Sequence, residues 1–190
     1  MLTADYLKTK FDAALSYDDY VATGKPEQQK RWADARALLP AVDAASASQA
    51  GYTRLMHVLV ISGIWCGDCV QQCPLLEHIA SGNPAKIALR FVDRDAHKDL
   101  SEQVKINGGL RVPTVIFMAE DFEFCALAGD RPISRYRKIA IAKLGASCPI
   151  GIAPPEKSEM EDTYKDWATE FERVQLMLRL SARLREKHGD

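Results

Sequence analysis

The sequence predicts an α/β fold of element order β-α-β-α-β-β-α around a central mixed sheet, with a helical extension ahead and a long helix behind. Two observations carry this reading. Between residues 50 and 145, short apolar runs bounded by Gly, Pro, Asn and Asp alternate with segments of helical period. Beyond that, from Met160 to Leu178, apolar residues step by four and three along what must be one helix. With 190 residues the chain suits one domain with extensions and a sizeable core. The divisions read as 1–48 for the helical extension packed on the core, 49–147 for the α/β domain, and 148–190 for a linker and the terminal helix.

The extension reads as two helices. Tyr6, Leu7, Phe11, Ala14 and Leu15 fall at helical spacing, and Thr3 is placed to cap the start. Thr23-Gly24-Lys25 breaks the pattern, and Pro26 suits the first turn of a second helix carrying Trp32, Ala35 and Leu39. Tyr17, Tyr20 and Trp32 are expected in the core rather than in substrate recognition. Residues 44–51, rich in Ala and Ser, form a linker.

Strands follow at 55–61, 87–92, 114–118 and 122–128. Helices are expected at 67–80, 100–105 and 133–144, and the turns fall at 81–84, 107–109 and 120–121. Connection lengths make the first two strands parallel and the last two a hairpin. Cys148-Pro149 and Pro154-Pro155 mark a semi-rigid linker, and Ser158 with Glu161 has capping-box spacing. The stripe Met160, Tyr164, Trp167, Phe171, Val174 and Leu178 lies on a helix of nearly 30 residues. Packing back on its own domain is the expected cover, with a homodimeric coiled coil as the alternative.

Composition excludes several classes. A formal net charge of −1 gives no electrostatic case for nucleic acid or an anionic membrane. No apolar stretch reaches the roughly 20 residues a spanning helix needs, and the first residues lack a secretory pattern, so a cytoplasmic protein is expected. Five cysteines at wide spacing (Cys66, Cys69, Cys73, Cys125, Cys148) do not make a disulfide framework.

Cys66-Gly67-Asp68-Cys69 stands where a strand meets a helix, the context of a redox dithiol. Cys66 at the helix start faces unpaired N–H groups and the positive dipole end, which favour a thiolate. Asp68 opposes this by its charge. A structural zinc site needs four ligands, and Cys66, Cys69 and Cys73 supply three, so no metal is expected. Cys73 reads as a buried filler, Cys125 as core and Cys148 as exposed linker, while Asp93-Arg94-Asp95 reads as a solvated turn.

Trp65-Cys66-Gly67-Asp68-Cys69 resembles the active site of thioredoxins. Pro74 matches the proline that kinks their active-site helix, Val112-Pro113-Thr114 their cis-proline segment, and Gly129 a glycine ending the fourth strand. The likeness spans roughly residues 50 to 145 and is nearest to a bacterial branch with helices ahead of the fold; the terminal helix has no counterpart there. It implies a thiol–disulfide oxidoreductase, with Cys66 attacking and Cys69 resolving. It further implies Trp65, Gly67, Asp68, Val112 and Pro113 at the substrate, a disulfide substrate, an unidentified reductase as partner, and no cofactor beyond the dithiol. Three positions depart from the pattern: Val60 stands where the family holds a buried aspartate, Phe91 where it holds a lysine, and Asp68 where it usually holds a proline. The alternative is an adaptor acting through its terminal helix, the dithiol being regulatory or incidental.

Overall fold

The computed structural model describes residues 1–39, 49–144 and 159–190. Most of the 44–51 linker, Cys148-Pro149, Pro154-Pro155 and the Ser158 half of the capping box lie outside the described residues. The elements are α1 (Ala4–Asp12), α2 (Tyr17–Ala22), α3 (Pro26–Ala37), β1 (Met56–Ser62), α4 (Gly67–Ser81), β2 (Ile87–Asp93), α5 (Lys98–Ser101) with a 3-10 turn at Glu102–Val104, β3 (Thr114–Met118), β4 (Phe124–Gly129), α6 (Ile133–Leu144), α7 (Glu159–Leu180) and α8 (Ala182–His188). The strands form one mixed sheet in the order β2-β1-β3-β4 with helices on both sides. β1 runs parallel to β2 and antiparallel to β3, and β3 and β4 form a hairpin.

β1 is apolar along nearly its whole length because every one of its residues is buried, as the central strand of a covered sheet requires. Alternation sends Val58, Val60 and Ser62 to the face that receives α4, while His57, Leu59 and Ile61 point to the other. On the first face Phe117 of β3 meets Phe171 of α7 edge-on at 5.2 Å between ring centres. On the second, Phe11 of α1 meets His57 at 4.9 Å.

Among its described residues the extension differs from expectation in having three helices. Thr3 caps α1 as anticipated, through the amide of Tyr6. The periodic run ends early because Leu15 turns extended and pairs with the outer edge of β2, exchanging both backbone hydrogen bonds with Phe91 at 2.9 and 2.8 Å. Ser16 then caps the separate helix α2. Tyr17, Tyr20 and Trp32 are buried around Phe91, Tyr20 stacked on it at 5.7 Å. The family's lysine position is thus the hub of an aromatic cluster.

The terminal stripe is covered within the chain: Tyr164, Trp167, Phe171, Val174 and Leu178 are all buried. Gln175 fixes α7 to the lead-in of β1, accepting from the Arg54 amide and donating to the Arg54 carbonyl. The expected single helix is two, because the chain becomes extended at Ser181. That bend carries α8 onto the β3–β4 turn, where Leu184 is fully buried, Arg183 pairs with Asp121, and Lys187 and His188 pair with Glu120.

The β3–β4 turn falls at residues 120–121 as expected, but β4 begins two residues late, at Phe124. Phe122 is not strand but left-handed backbone (φ 65°), and its ring stacks on His57 at 4.1 Å. His57, His78 and His97 all have pKa values lowered, first by burial. They are neutral in the fold, so the unfolded chain takes up their protons first as pH falls. Their contribution is intact above an ordinary histidine value of about 6.5 and is lost below it. Glu77, raised by burial, acts in the opposite sense, one group against three. The melting temperature is expected to fall by a few degrees between pH 7.5 and 5.5; a flat or rising profile in calorimetry would contradict this.

Candidate active site

The dithiol is placed by the end of β1 and the start of α4. After Ser62 the chain turns tightly, closed by a hydrogen bond from the Cys66 amide to the Gly63 carbonyl at 2.9 Å. Glycine is required at 63 because the Trp65 indole folds back over it: an added Cβ would lie 2.9 Å from the ring. The turn is held from α3, whose Trp32 indole donates to the Ile64 carbonyl at 2.9 Å. Trp65 itself is 46% exposed, with the Arg94 guanidinium 4.7 Å above its ring.

Cys66 is the N-cap residue of α4 and is half-buried, while Cys69, one turn on, is completely buried behind it. The Cys66 sulfur lies 3.7 Å from the Val112 carbonyl, and the Gly63 amide points at the Cys69 sulfur at 3.5 Å. The Val112–Pro113 peptide is cis, as the resemblance implied. Thr114 closes this loop by donating to the Arg111 carbonyl at 2.7 Å. Gly129 lies against it from β4 at φ +120°, and a Cβ there would stand 2.3 Å from the Pro113 carbonyl oxygen.

The structure signs the Cys66 shift that the sequence left open. The backbone N–H groups of Asp68 and Cys69 do favour a Cys66 thiolate, yet the thiol is held above its ordinary value. The hydrogen bond it shares with Cys69 is the first cause, and burial the second. Cys69 is pushed up as well, first by burial. The shared hydrogen bond works the other way at Cys69, favouring its ionised form, but burial outweighs it there.

Asp68 does not act on the thiols as a free charge. Its two oxygens are taken by Arg131 at 2.5 Å and Arg135 at 2.8 Å. Arg135 is buried and also reaches Gln71 and Glu159. Burial works against the Arg131 charge, but Asp68 and Asp130 outweigh it and hold its pKa up. Buried Asp130 accepts from Arg111, Arg131 and Tyr136. Sequence reasoning missed these residues. The signal available was a pair of arginines at the start of α6, where the helix dipole disfavours cations unless a carboxylate is near.

Of the residues expected at the substrate, Trp65, Gly67, Val112 and Pro113 border Cys66, whereas Asp68 turns to the arginines. Cys73 is the buried filler expected, with its sulfur 3.7 Å from the Ser62 hydroxyl. Cys125 is half-buried on the edge strand β4, not in the core. Asp93 caps the turn after β2 by accepting from the Asp95 and Ala96 amides. Among the described residues, no helix is long and apolar enough to cross a membrane.

Two solved structures are similar over nearly the whole chain. A protein of unknown function from Pseudomonas aeruginosa is 19% identical, with 86% of this chain and 93% of that one covered, at a TM-score of 0.64. An HIV epitope scaffold is also 19% identical, with 90% and 96% covered, at 0.58. Both share the fold, and matches of this extent reach beyond the α/β unit. A family model described as thioredoxin matches residues 14–142 and so takes in the Cys66–Cys69 turn, the Pro113 loop and Gly129 together. The chain belongs to the thioredoxin family.

Proposed function

We propose that the protein is a cytoplasmic thiol–disulfide oxidoreductase that exchanges its Cys66–Cys69 dithiol with disulfides of proteins or small molecules. The observation that carries the reading is half-buried Cys66 at the helix start, its sulfur facing the Val112 carbonyl ahead of cis-Pro113, with Cys69 one turn behind. Cys66 is the only one of the two sulfurs an incoming disulfide can reach. It attacks as thiolate and forms a mixed disulfide; Cys69 then attacks the Cys66 sulfur and releases the reduced product. The backbone beside Val112 offers an extended substrate segment a strand to align with. A reductase returns the pair to the dithiol.

Cys69→Ser keeps the attack and removes the resolution, so it is expected to accumulate mixed disulfides on Cys66 that non-reducing electrophoresis displays. Cys66→Ser is expected to trap none and to lose essentially all reduction of a disulfide substrate in the presence of dithiothreitol. An empty Cys69→Ser trap, with parent turnover no faster than dithiothreitol alone, would overturn the proposal.

A further inference from the structure

Resolution requires Cys69 to carry negative charge, at least in passing, at a position with no exposure to water. Such a charge needs hydrogen-bond donors built around it. The Gly63 amide is one, at 3.5 Å. The Ser62 side chain, also without exposure, lies on the same face of β1 as apolar Val58 and Val60, with its hydroxyl 3.7 Å from the Cys73 sulfur. Tyr20 reaches the same place from α2. Its ring is fixed by stacking on Phe91 and by an edge contact with Trp32, both at 5.7 Å. Its hydroxyl is buried and makes no hydrogen bond in the dithiol protein. Ser62 is nevertheless close enough to favour its ionised form, and Cys73 and Cys69 also lie near it. At Cys69, burial is the chief obstacle to ionisation and Cys73 adds to it, while Ser62 works the other way.

Resting on the exchange reading above, we propose that Ser62 and Tyr20 are positioning residues for the resolving step: Ser62 donates to the Cys69 sulfur as it becomes a thiolate, and Tyr20 donates to Ser62. In that step Cys69 loses its proton to solvent and its sulfur attacks the Cys66 sulfur. The Cys66–Cys69 bond forms and the bond from Cys66 to the substrate breaks. The electron pair leaves on the substrate sulfur, which takes up a proton. The protein dithiol is thereby oxidised and the substrate disulfide reduced. A hydroxyl idle in the thiol form thus acquires a partner only when charge develops, so its effect falls on the rate rather than on the resting state. The N-terminal helices, on this account, complete the buried side of the site.

The test uses the full-length reduced protein with Cys125→Ser and Cys148→Ser, mixed with the aromatic disulfide 5,5′-dithiobis(2-nitrobenzoate). Attack by Cys66 releases one coloured thiolate, and resolution by Cys69 releases a second. Tyr20→Phe, which keeps the ring, is expected to leave the first phase unchanged, to slow the second about five-fold at neutral pH, and to raise the pH midpoint of the second. Ser62→Ala is expected to do the same at least as strongly and carries the test should Tyr20→Phe fold poorly. Tyr17→Phe removes a hydroxyl as deeply buried in the same aromatic cluster, yet one whose surroundings are Cys73, Arg36, Asp18 and Glu77; it should change neither phase. A second phase with unaltered rate and midpoint in Tyr20→Phe and Ser62→Ala would overturn this proposal alone. Absence of a rapid first release in the parent would instead overturn the exchange reading.

Discussion

Trp167→Ala is expected to destabilise the protein by about 4 kcal/mol, the cost of deleting a buried indole and leaving a cavity. For a chain of this size that is a fall in melting temperature of about 8 to 16 °C. The indole is 1% exposed, so nearly all of its surface is lost from packing. Its N–H also donates to the Gln72 side-chain oxygen at 3.0 Å, and the Gln72 amide donates in turn to the Asp130 carbonyl at 3.0 Å. One side chain therefore ties α7 to α4 and to the segment following β4. Gln72 is without exposure, so truncation at 167 also leaves a buried acceptor unpaired. Trp167→Phe retains most of the volume but not the donor and should cost less, about 1 to 3 kcal/mol. Urea unfolding of the three proteins measures both numbers; equal midpoints for wild type and Trp167→Ala would show that the terminal helix does not contribute to the core.

Gly129→Ala is expected to cost about 3 kcal/mol or more and to abolish disulfide reduction even in the fraction that folds. Two causes act together. The backbone there has φ +120°, which L side chains rarely adopt, and the new methyl group would lie 2.3 Å from the Pro113 carbonyl oxygen and 3.1 Å from the Thr114 Cα. Those atoms are backbone, so relief requires the loop to move away from β4. The Val112 carbonyl, 3.7 Å from the Cys66 sulfur, moves with it. Loss of turnover together with a lowered melting temperature is the expected pair of results. Wild-type turnover at a lowered melting temperature would show that the loop had absorbed the methyl group without shifting.

Most of the α/β unit was legible because its signals are local. β3 and α6 fall where their apolar spacing places them, and the Asn107-Gly108 turn forms with both residues at positive φ, as that dipeptide favours. The dithiol was legible for the same reason, since two cysteines three apart at a helix start need no distant partner. What failed was decided at a distance. Leu15 fits the helical stripe of α1, but its hydrogen bonds are made with Phe91, far along the sequence. Ser181 has no breaker nearby; the helix ends there because Leu184 and the basic residues after it have a hydrophobic seat and carboxylates on the β3–β4 turn. Asp68 invited a reading against its sequence neighbours, whereas its charge is met by arginines more than sixty residues on. Spacing within a segment foretells which face is apolar; it does not foretell what the polar groups of another segment will bring to it.

The three tryptophans divide by environment. Trp32 and Trp167 are sealed, each with its N–H donated to an oxygen, whereas Trp65 lies open beneath a cation, next in sequence to Cys66. Of the light this protein emits when its indoles are excited, the portion that a soluble quencher such as iodide can extinguish therefore belongs to the residue beside Cys66. The molecule carries its own optical gauge of what happens at the dithiol, and needs no dye to report it.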